Sequence, residues 1–430
     1  MDRPEKRALA RRTVLTGTAA VGAGLAWGAA GPAGAAGAAG RGPGLAQEVV
    51  DAETARLERA LLALRRDLHR HPEPPGCERR TAGVVARELR AAGLAVTTGV
   101  GGHGVVGVLR GARQGRTVAY RADMDAVPPQ DIIGGGPAPA HLCGHDLHTT
   151  IGVGTARVLA RLRHHLSGTV VFLFQPAEES LSGARAMIDA GVLDRTRVAE
   201  IHALHCGPFP VGQFATTAGF GMPGQDRAEL TLPGPDGPQA AQRLATELGA
   251  LATVATPRGD ADLERVLADS LVPNGPLARF VALQARAREA TVGVSYRCWP
   301  RERHAEVRED IRRIAARFDG AQVRFPADPF PALVCPEPVG RALERHLRKA
   351  LGRAAVTPLQ TAFPPFSGED FALFLDRVPG TFTYLGVRTP GTPITASYPH
   401  FPTFVPDERA IGLGVRAMAG WLARRSAARS

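Results

Sequence analysis

The sequence predicts an α/β protein built on a mixed, largely parallel sheet, interrupted by a smaller α+β unit. Helix-period segments and short β-type runs alternate up to about residue 218. The run Thr169 to Phe174 is apolar without interruption, as a central strand covered on both faces requires. The pattern changes near Gly219 and reverts at Phe330-Pro331, which places an insertion at 219–330 between two parts of one domain, 45–218 and 331–425.

Along the chain, residues 52–68 carry Leu57, Leu61, Leu64 and Leu68 on one helical face. Thr81 is read as the N-cap of a second helix, running to Arg90 and ended by Gly93. Short strands are expected at Leu94–Thr97, Val105–Leu109 and Thr117–Tyr120, then a helix from about Thr149 to His165. A helix over about Ser182 to Ala190 follows the central strand. In the insertion, PGPDGP at 233–238 marks a turn before a helix from Gln239 to Ala252. Thr291–Tyr296 and Ala321–Phe325 read as strands flanking a helix at His304–Phe318. The last part predicts helices at Pro338–Leu351, Glu369–Leu375 and Asp407–Arg424, and a strand at Phe382–Leu385.

The chain has 430 residues, 44% apolar and 22% charged, as expected of a globular protein with two units of ordinary size. The formal charge is +11, yet only Lys6 and Lys349 are lysines, and many arginines adjoin acids, as in Arg301-Glu302-Arg303. Aromatics are 5% and do not interleave with the arginines, which argues against nucleic-acid binding. Five cysteines (Cys77, Cys143, Cys206, Cys298 and Cys335) do not form a disulfide framework in a chain this long.

Residues 1–40 have the layout of a cleavable export signal: Arg11-Arg12, an apolar Ala/Gly-rich stretch from Thr16 to Gly31, then Ala33-Gly34-Ala35-Ala36. The paired arginines suggest the twin-arginine route, and hence an exported protein. The stretch is too poor in Leu and Phe to serve as a stable membrane anchor.

Several segments carry residues suited to metal chemistry. CGHDLHT sets Cys143 two residues from His145; thiolate and imidazole suit a borderline-soft ion such as zinc, and a thiolate can bridge two ions. A loop cysteine with surface histidines is the plainer alternative. The central strand runs into Gln175-Pro176-Ala177-Glu178-Glu179, beyond a strand's carboxyl end, where ligands of open α/β sheets lie. One acid could bind metal and the other shuttle a proton, or both could simply favour a helix start. His202 and His205 end another apolar run; for His202 a buried, hydrogen-bonded role is preferred. Asp123 and Asp125 in YRADMDAVP could orient metal-bound histidines, or serve turn chemistry. His400, in SYPHFPTF, says little alone.

The segments RRDLHRHPEP, TAGVVARELRAAG, YRADMDAVP, CGHDLHT, FQPAEES with GARAMIDAGVL, HALHCGP, SGEDFALFLDRVPG and HFPTFVPDE follow one another in this order. This resembles the metal-dependent amidohydrolases of the aminoacylase/carboxypeptidase superfamily, in the branch of hippurate hydrolases, N-acyl-amino-acid amidohydrolases and indole-acetyl-amino-acid hydrolases. The resemblance covers residues 50–220 and 330–420 strongly and the insertion weakly. It implies a metallopeptidase-like catalytic domain with a ferredoxin-like lid or dimerisation domain, and thus a possible homodimer. It also implies two divalent ions (Mn, Zn, Co or Ni) held by Cys143, His145, Glu179, His205 and His400, with Cys143 bridging. Glu178 would be general base and then acid, and Asp123, Asp125, His148, Glu369 and Arg297 would support the site. The substrate would be an N-acyl amino acid or related small amide.

Two features depart from that family. Its Gly-Gly-His segment in the insertion is replaced by PGPDGPQAA, without a histidine, and its Asn-Val-Ile-Pro stretch by Gln284-Ala285-Arg286-Ala287. Loss of a carbonyl-stabilising donor costs roughly 3 kcal/mol in comparable sites. Two alternatives follow: a weak or inactive binder on the same scaffold, and a thiol hydrolase using Cys143 with a nearby histidine. The first leaves Glu178 without a purpose, and the second leaves the paired glutamates without one.

Overall fold

The computed structural model describes residues 45–427; the expected export signal at 1–40 lies outside them. In chain order the strands are β1 Ala95–Val100, β2 Gly104–Arg110, β3 Arg113–Asp123, β4 Ser167–Gln175, β5 Glu200–Pro210, β6 Phe214–Thr216, β7 Gly221–Met222, β8 Gly224–Thr231, β9 Phe280–Arg288, β10 Thr291–Trp299, β11 Gln322–Arg324, β12 Leu333–Val334, β13 Val356–Pro358 and β14 Gly380–Arg388. The large sheet has the order β1-β2-β4-β3-β5-β14-β6-β13. Its centre, β4-β3-β5-β14, is parallel; β1 and β2 pair antiparallel on one side, and β6 runs antiparallel to β14. The sheet is therefore mixed around a parallel core.

Burial on both faces explains the apolar central run. In β4, Val170, Phe172 and Phe174 pack into one core layer while Val171 and Leu173 pack into the other. The first layer lies under the helices Gln47–His69, His145–Arg161 and Arg409–Ala427; the second lies under Gly183–Asp189 and Ala372–Leu375. A two-residue period is invisible in such a strand, because neither face meets water.

Local ends differ from expectation for identifiable reasons. Thr81 lies inside its helix, Arg79–Ala91, and does not cap it. The cap comes from a distance: the Glu73 carboxylate accepts the N–H groups of Arg80 and Thr81 at 2.9 and 2.8 Å. The helix expected from Thr149 begins at His145, because Gly144 adopts φ +86° and turns the chain directly into it. A β-carbon at Gly144 would lie 2.6 Å from Cys206 Sγ, so both the conformation and the space require glycine.

The insertion forms its own antiparallel sheet, ordered β11-β8-β10-β9. Strand β9 and the helix Asp260–Asp269 were not anticipated from sequence, while β8 precedes the first helix of the insertion; β8 and β9 are half-covered strands whose outer faces carry arginines and, in β8, Glu229. The helices Gly237–Gly249 and Arg303–Ala315 cover one face, over Ala228, Leu230, Val292, Val294 and Tyr296. Gln225 pairs with Phe330, and β7 pairs with β12, where the chain leaves and rejoins the large sheet. No described helix is long and apolar enough to cross a membrane.

At the amino end of β5, Glu200 fastens the last helix to the sheet. Its carboxylate accepts bonds from Arg425 (Nε at 2.6 Å) and from Arg116 (2.8 Å); burial raises its pKa, but His202 at 3.6 Å and Arg425 outweigh burial, so it lies below the usual value. A depressed carboxyl stabilises the fold above its unfolded pKa near 4.5 and loses that contribution as pH falls. Glu200→Gln is expected to lower stability by about 3 kcal/mol at pH 7. The deficit should shrink between about pH 5 and pH 2, measured as urea midpoints across that range.

Candidate metal centre

The expected site residues converge beyond the carboxyl ends of the parallel strands. Cys143 Sγ lies 3.5 Å from His205 Nε2. The donor atoms of Cys143, His145 and His205 lie within 4.8 Å of one another, as do those of Cys143, Glu179 and His400, and those of His145, Glu178 and Glu179. Residues from 143 to 400 therefore meet in one place.

Each of the three histidines is aimed by a bond to the backbone. His145 Nδ1 donates to Asp125 O at 2.9 Å, His205 Nδ1 to Cys206 O at 2.7 Å and His400 Nδ1 to Asp131 O at 3.0 Å. With Nδ1 bonded to the backbone, Nε2 faces inward, the usual arrangement for a metal-binding imidazole; burial opposes charge on His145 and His400, but the neighbouring acids, Asp123 and Glu179 foremost, raise both, so the same edge attracts positive charge. His400 holds a φ of +69°, pinned by its N–H on Leu142 O and its carbonyl on Ile133 N–H.

His148 is different. Its Nδ1 donates to Asp123 Oδ1 at 2.6 Å and its Nε2 accepts the Cys206 N–H at 2.7 Å, so no lone pair is left for an ion. It ties Asp123 to β5. His202 also lies apart: three positions before His205 on the strand, it points to the opposite face, bonds Thr381 Oγ1 at 2.9 Å and packs edge-on against Trp421.

The carboxylates fall into two groups. Asp125 Oδ2 accepts the Glu179 N–H at 2.9 Å, and its Oδ1 is 3.3 Å from His145 Nδ1, so it positions both candidate ligands. Glu178 sits with Glu369 and Asp370, their oxygens within 4.8 Å of one another. Sequence reasoning missed the hub of this second group, Arg121. It is fully buried and donates to Asp123, to Gln175 Oε1 at 2.8 Å, to Glu369 Oε1 at 2.9 Å and to Asp370 Oδ1 at 3.1 Å. The i, i+2 spacing of Arg121 and Asp123 on β3 puts both on one face and was the available signal. Asp370 also accepts the Gln175 amide at 2.7 Å and the Ala184 N–H at 2.9 Å, closing the loop after β4 onto the SGED segment. Another missed residue is Glu78, fully buried, whose Oε1 accepts the N–H groups of Gly76 and Ala177 and holds Ala177 at φ +54° just before Glu178.

The field of the pocket is strongly negative. Burial pushes Glu178 well up, and Glu369 and Glu179 push it further. Burial also acts on Glu179, but His400 beside it prevails and brings its pKa down to about 2. Burial lowers His205 to about 3, leaving a neutral imidazole. Burial raises the Cys143 thiol, with Glu179 and Glu178 adding to the effect; this opposes a free thiolate nucleophile.

The residues present fit divalent cations. Asp123, Asp125, Glu178, Glu369 and Asp370 are buried, and Glu179 nearly so, around the single buried guanidinium of Arg121. Crowding of this kind raises Glu178, Glu369 and Asp370 and favours cations beside the acids that stay ionised. His145 Nε2 and Glu179 Oε1 are buried, face each other at 3.7 Å and have no hydrogen-bond partner. A thiol, three imidazole Nε2 atoms and a carboxylate form a donor set suited to zinc-like ions.

An α/β domain with this cluster of thiol, imidazole and carboxylate donors beyond its strand ends, plus a separate small sheet, defines the class of metal-dependent hydrolases. Residues 119–424 match the model of peptidase family M20/M25/M40, and the chain belongs to that family. Among its relatives, a probable hydrolase of Synechocystis is 33% identical over 382 residues, covering 84% of this chain and 95% of the relative. The N-acetylcysteine deacetylase of Bacillus subtilis is 33% identical over 371 residues, covering 82% and 93%. Among solved structures, the Bacillus subtilis YXEP protein, a dinuclear metal binding peptidase from the M20 family, matches with a TM-score of 0.66 and 28% identity, covering 86% of this chain and 99% of that one. The protein is thus a hydrolase of amide bonds with a fold built for divalent ions.

Removing Arg121 would leave Asp123, Glu369 and Asp370 buried without their cation. Arg121→Gln is expected to lower stability by about 3–5 kcal/mol, read as the urea midpoint of the metal-loaded protein. An unchanged midpoint would show that these acids do not depend on the guanidinium.

Proposed function

We propose that this protein is an exported, binuclear-metal amidohydrolase that cleaves N-acyl amino acids or related small amides to an acid and an amine. The observation that carries this reading is the position of Glu178. It is the neighbour of Glu179, lies 3.8 Å from His145 Nε2, and yet is drawn toward Glu369, Asp370 and Arg121 rather than toward Cys143 and His400. It therefore borders the donor set without being needed in it.

In this reading Cys143, His145, Glu179, His205 and His400 would hold the ions; Cys143 belongs to two of the donor groups. Bound there, Mn, Zn, Co or Ni would supply Lewis acidity toward the scissile carbonyl and the attacking water. Glu178 takes the water's proton as its oxygen attacks the carbonyl carbon, and returns it to the leaving nitrogen as the C–N bond breaks. Burial supports both halves of this task, because a carboxyl raised above the ordinary carboxylate range holds a proton more readily and can pass it on. Asp123, through His148 and Arg121, and Asp125, through His145 and Glu179, keep the ligands oriented.

Arg297 is assigned to the substrate's free carboxylate. It stands on the face of β10 turned away from the helices of the insertion. Its Nη2 bonds Gln225 Oε1 at 2.8 Å, and among the described residues its Nε has no partner and no acid pairs with it. Burial alone lowers its pKa to about 10. Gln225 Oε1 in turn lies against Gly368, beside Glu369, so this cation waits at the edge of the catalytic loop. The small sheet then acts as a lid, and as the surface for a homodimer. The name of the deacetylase relative, N-acetylcysteine deacetylase, supports a small N-acyl amino acid as substrate. The residues 11–36 support export by the twin-arginine route.

Two measurements test this. With Mn or Zn added, Glu178→Gln should lose a hundredfold or more in kcat, on the order expected for a general base, while metal content by elemental analysis stays the same. Unchanged turnover would remove Glu178 from the chemistry. Arg297→Gln should raise KM roughly tenfold or more for N-acyl amino acids and leave N-acyl amines without a carboxylate unaffected. Equal losses on both substrates would show that Arg297 serves only the fold.

A further inference from the structure

A second charged surface lies at the opposite end of the large sheet. The metal-binding candidates cluster beyond the carboxyl ends of the strands, whereas Glu200 opens β5 and holds Arg425 there. Around Arg425 the helices Glu337–Leu351 and Arg409–Ala427 both reach their carboxyl ends. An open hollow of about 170 Å³ is lined by Ala342, Arg345, His346, Arg424 and Arg425. A second, of about 390 Å³, is lined by Arg345, Arg348, Lys349 and Arg353. Arg345 is shared, so the two form one continuous cationic groove, and among the described residues no carboxylate lines either.

Basic residues are ordinary in the last turn of a helix, where they offset the dipole at a few tenths of a kcal/mol each. That accounts for some of this charge but not for its surplus. Arg348 is paired with Glu344 at 2.7 Å, and Arg425 with Glu200. Arg345, Lys349, Arg353 and Arg424 are exposed and make no salt bridge among the described residues. Arg353 lies beyond the helix end, in the turn Arg353–Ala355. His346 lines the first hollow with an Nε2 that has no hydrogen-bond partner. Burial lowers its pKa to about 4, with Arg424 and Lys349 adding to the effect, so the hollow's one other basic group stays neutral and can accept a hydrogen bond from a protonated ligand oxygen.

We infer that this groove binds a soluble anion carrying at least two phosphate groups, one over each hollow, with Arg345 between them. Guanidinium groups present planar, paired donors that match phosphate oxygens, and five of the six cations here are arginines. The large hydrophobic residues that are exposed (Val49, Ile133, Leu271, Val272 and Val405) contribute nothing to the lining, so the surface has no apolar anchor for a bilayer. Since the groove lies at the far end of the sheet from Glu178, a ligand there leaves the amidohydrolase site open.

The test is calorimetric titration of the metal-loaded full chain at low salt, with fructose 1,6-bisphosphate and with inorganic phosphate, beside co-sedimentation with vesicles containing anionic phospholipid. The bisphosphate is expected to bind on the order of tenfold more tightly than inorganic phosphate, and to weaken as salt is raised. The exposed double variant Arg345→Gln, Lys349→Gln should lose tenfold or more of that affinity, with unchanged melting temperature and unchanged N-acyl amino acid turnover. Equal affinity of the variant and the parent for the bisphosphate would overturn the assignment, as would binding to the vesicles alone. A loss of amide hydrolysis in the unaltered protein would bear on the catalytic reading and not on this groove.

Discussion

The concentration of buried negative charge around one buried guanidinium governs this structure. Arg121 gathers Asp123, Glu369 and Asp370 from two distant parts of the chain, and through them fixes the surroundings of Glu178. Burial of that many acids raises Glu178, Glu369 and Asp370 above the usual carboxylate range and favours positive charge beside them. The remaining donors, from Cys143, Glu179 and His400, meet within 4.8 Å of one another. The fit to divalent ions follows from the identity of these donors, and the crowded acids add to it.

Backbone geometry converts this electrostatic demand into a defined site. Gly144 allows the turn that delivers His145 at the first position of its helix. Ala177, held at positive φ by Glu78, and Leu181, also at positive φ, frame the paired glutamates. His400 is set by its own unusual conformation. Conformations of this kind cost about 1–3 kcal/mol each and persist where surrounding contacts over-determine them. Three of them around one pocket indicate that the fold spends stability on holding donor atoms in place.

The inserted sheet and the large sheet divide the work differently. The large sheet has cores on both faces and supplies a rigid platform. The small sheet has a core on one face only, leaving the other, with Arg297, turned away from its helices. Histidine is missing where the resembling family carries one in this region, so a cation and the amide of Gln225 are the polar groups it brings toward the SGED loop. Recognition of substrate by charge, rather than by an imidazole, is the corresponding expectation.

By itself, the sequence determined the alternation of helices and strands, the doubly buried run of β4, the presence of an insertion and the identities of the candidate donors, because these depend on local periodicity and on residue chemistry. It also carried the preference for a structural His202, since an imidazole within an apolar strand is most simply satisfied by its neighbours. Only the tertiary structure decided that Thr81 is not a cap, that His148 has no lone pair to offer and that Arg121 stands at the centre of the acids. The last two depend on partners far away in the chain, Asp123 and the Cys206 N–H for His148 and Glu369 with Asp370 for Arg121, and the first on Glu73, folded back from the preceding loop onto the helix start. A hydrogen bond or an ion pair acts over a few ångströms of space and leaves no period along the sequence, so its consequences became legible only once the chain had folded.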